Sequence, residues 1–158
     1  MTAATVRVAR LTEADWRVFA TVRLRALTDS LGENDPQYQQ EAAFTAAHWR
    51  RRLREHAQFA VLIGDRPVGL IGAQLENAEN VYLYSLWLDP TARGRGLARP
   101  LVAAAVEWAR DSRARTVTLR VAADNVVARG VYESVGFTLS ADQSPSARGE
   151  VAMVLNVS

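Results

Sequence analysis

The sequence predicts a single α/β domain over residues 1–158, built as one mixed, mostly antiparallel sheet flanked by helices. Short alternating apolar segments separated by short polar turns favour antiparallel hairpins. Longer segments with helical spacing of apolar residues lie between them. One strand–helix–strand crossover occurs, so a repeating doubly wound sheet is not expected. The expected element order is β-α-α-β-β-β-α-β-α-β-β.

Composition narrows the chemistry that the chain can perform. Apolar residues make up 49% and charged residues 23% of the 158 residues, which is typical of a soluble globular protein. Cysteine is absent, so disulfides, thiol nucleophiles and cysteine-bound metals are excluded. All 19 basic residues are arginine, which excludes lysine amine chemistry. The net charge of +2 is too small to indicate a nucleic-acid partner.

The first half of the chain is expected to contain two helices and three strands. Thr12 and Asp15 form a capping-box pattern before a helix that ends near Gly32. The polar residues 33–40 predict a loop, and Thr45 is a candidate cap within the second helix. The expected strands are 6–11, 59–63 and 68–75, and the second helix is expected at 42–56.

The second half is expected to supply the crossover and the last strands. A helix that begins at Asp124 or Asn125 should stop at Gly136. The other expected elements are strands 81–88, 116–121, 137–139 and 151–155, a helix at 97–110 and a loop at 140–150.

A glycine-containing loop between strand 81–88 and helix 97–110 carries the first functional signal. Gly94 and Gly96 have no Cβ to block a ligand, and the start of a helix directs backbone N–H groups at one point. Arg93, Arg95 and Arg99 add positive charge nearby. The loop is therefore a candidate phosphate site. An ordinary tight turn and an arginine–glycine RNA-binding motif are the alternatives.

Two segments together resemble the GCN5-related N-acetyltransferase (GNAT) family. The pattern Arg93-x-x-Gly96-x-Ala98 follows a strand that ends in Asp89-Pro90 and is similar to the family's acetyl-CoA-binding signature. Residues 121–137, with Asn125, Ala128, Tyr132-Glu133 and Gly136-Phe137, resemble a second family segment. The motif match covers roughly residues 81–137. The resemblance implies a splayed sheet and acetyl-CoA as co-substrate, with no metal.

The resemblance implies a role for each part of the loop and of the strand before it. The pyrophosphate would lie over the backbone N–H groups of residues 94–98, that is Gly94, Arg95, Gly96, Leu97 and Ala98, and the side chains of Arg93 and Arg99 would be secondary. Leu86, Trp87 and Leu88 would hold the pantetheine arm by main-chain hydrogen bonds, as an added strand is held. A backbone N–H near Leu88 would stabilise the oxyanion.

The helix that starts near residue 125 places three residues on one face, at spacings of three and four. Asn125 caps the helix and, by resemblance, also reaches the cofactor arm. Ala128 would leave room for the cofactor. Tyr132 is the candidate general acid, because a phenol with a pKa near ~10 stays protonated next to a thiolate whose conjugate acid has a pKa near ~8.5. Simple packing of Tyr132 is the alternative.

The general base is less clearly marked. Some family members carry a glutamate early on this strand, where Tyr82 stands here, and the nearest carboxylates are Glu76 and Glu79. We expect Glu79 or Tyr82 to assist, either directly or through water, and Tyr84 or Ser85 to line the same space. Proton loss to water without a base, and a non-catalytic family member, are the alternatives. His48 and His56 are expected to be structural or exposed.

The resemblance implies an acceptor site between residues 24 and 49. Glu33, Asp35 and Glu41 make this region acidic, which would suit a cationic amine. The predicted function is transfer of acetyl from acetyl-CoA to a primary amine of a small molecule or peptide, by direct attack in a ternary complex. The alternative is an acyl-CoA-binding sensor without turnover.

A cytoplasmic protein is expected, because no secretory signal and no apolar run of ~20 residues occur. A homodimer is expected by resemblance.

Overall fold

The computed structural model describes residues 5–140 and 148–158 and contains a seven-stranded sheet with helices on both faces. The strand order is β1-β2-β3-β4-β5-β7-β6. Every neighbouring pair is antiparallel except β4 with β5. The strands are β1 Val6–Leu11, β2 Ala57–Ile63, β3 Arg66–Leu75, β4 Asn80–Leu88, β5 Thr116–Ala122, β6 Thr138–Leu139 and β7 Glu150–Asn156. The mixed, mostly antiparallel sheet expected from the sequence is confirmed.

Five α-helices connect the strands in the described part of the chain, one more than expected from the sequence. They are α1 Trp16–Ser30, α2 Pro36–Ala42, α3 Ala46–Glu55, α4 Ala98–Asp111 and α5 Val126–Val135. The expected loop at 33–40 and the expected helix start at residue 42 are wrong. Asp35 accepts a hydrogen bond from the Gln37 N–H at 2.8 Å, and Pro36 occupies the first helical position, so a short helix starts there. The expected loop 140–150 lies largely outside the described residues.

Two hydrophobic cores lie on opposite faces of the sheet. On one face α4 packs Leu101, Val102 and Ala105 against β2–β5, and each is completely buried. On the other face α1 and α3 contribute Phe19 and Trp49, whose rings meet edge to face at 5.6 Å. Burying side chains of this size contributes roughly 2 kcal/mol each to the stability of the fold. Both faces of the central strands are therefore covered.

Strands β4 and β5 separate shortly after they begin to pair. Their parallel register covers Asn80, Val81 and Tyr82 opposite Thr116, Val117 and Thr118. Beyond Tyr82 no pairing between the two strands continues, although β4 runs to Leu88. This opening places unpaired backbone of β4 beside the start of α4 and positions the candidate site.

Candidate active site

A β-bulge on β4 reorients the strand at the edge of the opening. The register with β3 shifts between Leu70, which faces Trp87, and Gly72, which faces Tyr84. Ser85 lies at the bulge with a left-handed φ of 55°. The strand expected at 81–88 includes no bulge, although the sequence contains a signal for one. Apolar residues occupy positions 81 and 83 and then 86 and 88, so the alternation slips by one position at Ser85.

The bulge turns the backbone of Leu88 toward the opening. The Asp89 N–H donates to the Val68 carbonyl of β3 at 2.8 Å. Because backbone groups of successive strand residues point to opposite edges, the N–H and C=O groups of Leu88 face away from β3. Arg93 Nε donates to the Leu88 carbonyl at 3.1 Å, and the Leu88 N–H faces the opening.

A cleft of about 440 Å³ lies between the end of β4, the glycine loop and α5. Gly94 and Gly96 line it with left-handed φ values of 79° and 72°, and a Cβ built on either one would meet no atom within 4 Å. The two glycines therefore face open space in a conformation that L side chains disfavour. Ten of the thirteen residues that the sequence assigned to the cofactor line this cleft: Leu86, Trp87, Leu88, Arg93, Gly94, Gly96, Leu97, Ala98, Asn125 and Ala128.

The arginines of the loop contribute less free charge than the sequence suggests. The Arg95 side chain lines a separate cavity with Thr91 and Arg66, and Arg99 Nη2 donates to the Ser134 carbonyl at 3.3 Å. The side chains of Arg95 and Arg99 therefore do not line the cleft, while a role for the Arg95 backbone N–H at the cofactor stays a prediction. Arg93 lines the cleft, where its Nε donates to the Leu88 carbonyl and its Nη2 to Asp29, so its charge is shared with a carboxylate. Backbone N–H groups are therefore the main candidate anion donors of the loop.

Asp29, at the end of α1, hydrogen-bonds to both the glycine loop and β4. Its Oδ2 accepts the Trp87 indole N–H at 3.0 Å and Arg93 Nη2 at 2.7 Å. The indole hydrogen bond, and then the Arg93 hydrogen bond and charge, hold the pKa of Asp29 below its usual value. No sequence motif marks this residue, because the contact joins positions 58 and 64 residues apart.

The first residues of α5 form the opposite wall of the cleft. Asn125 Oδ1 accepts the Ala128 N–H at 3.1 Å, so Asn125 caps the helix while lining the cleft. Ala128 presents only a methyl group to the same space. The capping role expected from the sequence is confirmed, and contact with a cofactor arm remains a prediction.

Tyr132, one turn beyond Ala128 on α5, is not among the residues that line the cleft, and its ring packs edge to face on Phe137 at 5.9 Å. The residue is 7% exposed. Within residues 5–140 and 148–158 its hydroxyl has no hydrogen-bond partner. Burial, with a smaller contribution from Tyr82, raises the pKa of Tyr132 to about 12. Its hydroxyl therefore stays protonated and available at neutral pH.

The two base candidates lie in different places. Glu79 is exposed beside Arg115 at 3.8 Å, just before β4, and nine positions of extended chain place it roughly 30 Å from Leu88. The structure does not bring Glu79 to the cleft, because it belongs to the turn at the opposite end of the strand. Tyr82 is half-buried and influences Tyr132 electrostatically. Burial raises the pKa of Tyr82 as well.

A polar cluster that the sequence does not predict surrounds the Tyr84 hydroxyl. His56 Nδ1 lies 2.6 Å from the Tyr84 hydroxyl, and Gln58 Nε2 donates to that hydroxyl at 2.7 Å. The Tyr84 proton is therefore directed at an unprotonated Nδ1. Burial, and then the charge of Arg52, lowers the pKa of His56. The structural role expected for His56 is confirmed.

A second cavity of about 200 Å³ lies between α1, α2 and β4 on the other side of the bulge. It shares Ser30, Leu86 and Trp87 with the cleft, so these residues border both spaces. The acidic character expected here is largely absent. Glu41 is 3% exposed and accepts hydrogen bonds from Arg23, Arg52 and Gln37.

The family model for the acetyltransferase (GNAT) family matches residues 21–137, well over half of the chain. The chain belongs to this family. The expectation drawn from the two motif segments is confirmed, and so is the fold that it implies.

Individual relatives agree with this assignment. A mycothiol acetyltransferase from Mycobacterium avium is 41% identical over an alignment of 86 residues, and the match covers 47% of this chain and 27% of that protein. The match thus spans about a quarter of the relative's length. A GNAT-family acetyltransferase from Streptococcus pneumoniae superposes with a TM-score of 0.76 at 16% identity, covering 97% of this chain and 100% of that one.

A third relative was solved with a ligand. The PaiA N-acetyltransferase from Thermoplasma acidophilum, in complex with coenzyme A, has a TM-score of 0.73 at 13% identity and covers 97% of this chain and 99% of that one. At this identity the similarity establishes the fold.

Among the described residues, no helix is long and apolar enough to cross a membrane.

Proposed function

We propose that the chain transfers the acetyl group of acetyl-CoA to a primary amine by direct attack in a ternary complex. The observation that carries the proposal is that Leu86 and Trp87 border two neighbouring spaces. One is lined by an open glycine loop suited to a phosphate, and the other opens toward α1 and α2. A donor and an acceptor can therefore reach the same point from opposite sides of β4.

The donor side fits acetyl-CoA, which supplies the activated acetyl thioester. Gly94 and Gly96 leave a space that any Cβ would fill, and backbone N–H groups at the start of α4 suit a pyrophosphate. Leu86 and Leu88 would hold the pantetheine arm through their outward-facing backbone groups. With its carbonyl bound to Arg93, Leu88 keeps its N–H to stabilise charge on the thioester oxygen.

Tyr132 is assigned as the group that assists the departing sulfur. Its hydroxyl has no partner in the described part of the chain, so it is free to donate a hydrogen bond. With a pKa of about 12 the phenol remains protonated throughout the physiological range. It serves as a buried hydrogen-bond donor that stabilises the thiolate as the carbon–sulfur bond breaks.

The attacking amine must also lose a proton, which Tyr132 does not accept. Glu79 lies before the start of β4 beside Arg115, too far from Leu86 and Trp87 to accept this proton. Tyr82 is protonated at neutral pH because burial raises its pKa, so it would relay a proton rather than act as a charged base. Water in the second cavity is the final acceptor in this scheme.

The test is turnover with a panel of primary amines. The purified chain is mixed with acetyl-CoA and each amine, and free thiol is measured with a thiol-reactive dye. The chain has no cysteine, so the protein adds no background. Amine-dependent thiol release, with a product heavier by one acetyl group in mass spectrometry, is expected. Binding of acetyl-CoA without turnover of any amine would contradict the proposal and favour a sensor.

A further inference from the structure

The second cavity holds one charged side chain among the described residues that line it, that of Arg23 on α1. The rest of the lining is apolar or neutral, including Leu27, Leu31 and Gln37. The volume of the cavity is about 200 Å³. The cavity is thus small, lined by both polar and apolar groups, and cationic at one point.

The positive charge at this cavity exceeds the negative charge. Glu41 Oε1 accepts Arg23 Nε at 3.0 Å and Arg52 Nη1 at 2.8 Å, while its Oε2 accepts Arg23 Nη2 at 3.2 Å. Two guanidinium groups therefore face one carboxylate. Among the described residues no second carboxylate pairs with either arginine.

Arg23 retains donors for a ligand. Its side chain is 14% exposed, and the fork of Nε and Nη2 on Glu41 fixes the plane of the guanidinium. Within residues 5–140 and 148–158, Nη1 has no hydrogen-bond partner. A fixed guanidinium with free N–H groups suits a carboxylate, because little side-chain freedom remains to be lost on binding.

The other acidic residues nearby do not restore a site for a cation. Asp35 uses its Oδ1 to cap α2 through the Gln37 N–H, and it does not line the cavity. Glu33 is exposed in the turn before α2 and also lies outside the lining. Asp29 accepts the Trp87 indole N–H, but it is already paired with Arg93 at 2.7 Å. An acceptor with several ammonium groups would therefore meet the arginine pair, with the nearby carboxylates already engaged by arginine or by a helix N-terminus.

We infer that the acceptor is a small amine that also carries a carboxylate, with the carboxylate on Arg23 and the amine near Leu86 and Trp87. This inference rests on the proposed acetyl transfer, which places the amine beside the residues that border both cavities.

The test compares matched acceptors that differ at the carboxylate. Glycine, leucine and glutamine are each assayed with acetyl-CoA beside the corresponding amide and the decarboxylated amine. At least one amino acid is expected to exceed both of its analogues by about tenfold or more in kcat/KM, the size of one charge-assisted hydrogen bond. Equal or faster turnover of the analogues would overturn the inference and leave the proposed function intact.

The panel also separates failure of the inference from failure of the proposed function. Acetylation of diamines or aminoglycosides, with none of the amino acids accepted, would overturn the inference alone. No acetylation of any amine would overturn the proposed function, and the inference with it.

Two variants test whether Arg23 causes the preference for an acceptor with a carboxylate. Arg23→Gln is expected to raise KM for the amino acid about tenfold and to leave KM for its amide within about twofold. Arg51→Gln is the control, since it removes one exposed arginine from α3 outside the cavity. If Arg23→Gln does not fold, the double variant Arg23→Gln/Glu41→Gln also removes the buried carboxylate that has lost one of its two arginine partners, and it is assayed instead. An unchanged preference for the carboxylate in either variant would contradict the assignment.

Discussion

Arg93 Nη2 lies 2.7 Å from Asp29 Oδ2, so the first arginine of the glycine loop is tied to the end of α1. The same oxygen accepts the Trp87 indole N–H, and Arg93 also holds the Leu88 carbonyl. The guanidinium therefore fixes the loop against β4. Positive charge for a phosphate must come mainly from backbone N–H groups, whose placement depends on this contact.

Removing the Asp29 carboxylate should loosen the loop without unfolding the protein. We expect Asp29→Asn to raise KM for acetyl-CoA by about two- to fivefold, the size expected for partly exposed ion pairs, with kcat nearly unchanged. Glu33→Gln is the control, because it removes an exposed carboxylate from the same region. Steady-state kinetics at saturating amine give both constants, and equal KM values for Asp29→Asn and Glu33→Gln would refute the coupling.

Tyr132→Phe should separate an acid role from simple packing. Loss of the hydroxyl is expected to lower kcat by about 100-fold and to leave the melting temperature nearly unchanged, because the ring contact with Phe137 remains. Tyr38→Phe, on α2 outside the cleft, is the control. Full activity of Tyr132→Phe would show that the residue only packs.

The pH profile of kcat tests the protonation state of Tyr132. An acid must be protonated to act, so a pKa raised to about 12 moves its loss of function to very alkaline pH. No decrease in kcat from this group is expected below pH ~10. A decrease near pH ~9 that disappears in Tyr132→Phe would contradict the effect of burial.

Glu41→Gln tests the ion-pair cluster under the acceptor cavity. Burial alone would raise the pKa of Glu41, but the hydrogen bonds and charges of Arg23 and Arg52 outweigh it, and the pKa is lowered. Without the carboxylate the two arginines repel each other, and the free energy of unfolding should fall by about 1–3 kcal/mol at pH 7. Because the folded-state pKa is lowered, this contribution is present above pH ~4.5 and is lost as the pH falls below that value. Urea unfolding at pH 7 and pH 3.5 measures both effects, and an equally stable variant at pH 7 would contradict them.

His56 should make stability depend on pH between 5 and 7. Its folded-state pKa is lowered by burial and by Arg52, against a small opposing effect of Glu55. Below pH ~6.5 the unfolded chain therefore binds more protons than the folded one, and the free energy of unfolding falls as the pH falls.

The variant His56→Asn should flatten this slope, and His48→Gln should keep it. His48 is the other histidine of the chain and stacks on Phe44 rather than on Tyr84. Thermal melts at pH 5 and pH 7 provide the comparison. A slope that survives in His56→Asn would assign the pH dependence to another group.

The sequence predicts most of the fold because the relevant signals are local. Alternation marks the strands, caps such as Asn125 mark helix starts, and Gly94 and Gly96 mark the loop. Helix α2 is not predicted, because its seven residues are mostly polar and carry no amphipathic pattern. Its start depends on the Asp35 cap and on the proline that follows.

The acceptor side is predicted poorly because its character comes from contacts between distant positions. Glu41 is acidic in sequence, but it is neutralised by Arg23 and Arg52, which lie 18 and 11 positions away. Arg52 sits in an arginine run that looks like a solvated helix face. The packing of α1 on α2 and α3 brings these three side chains together. The cluster therefore carries a net positive charge, where the sequence predicts a negative one.

The central claim is that the backbone of residues 93–98 seats the pyrophosphate of acetyl-CoA, and isothermal calorimetry of Gly96→Val tests it most directly. Gly64→Val is the matched control, because Gly64 has a similar left-handed φ of 62° and open surroundings but lies in the β2–β3 turn. Both substitutions should cost about 1–2 kcal/mol of backbone strain. We predict that Gly64→Val binds acetyl-CoA like the unmodified chain and that Gly96→Val, still folded by circular dichroism, does not bind. Equal affinity of the two variants would contradict the claim.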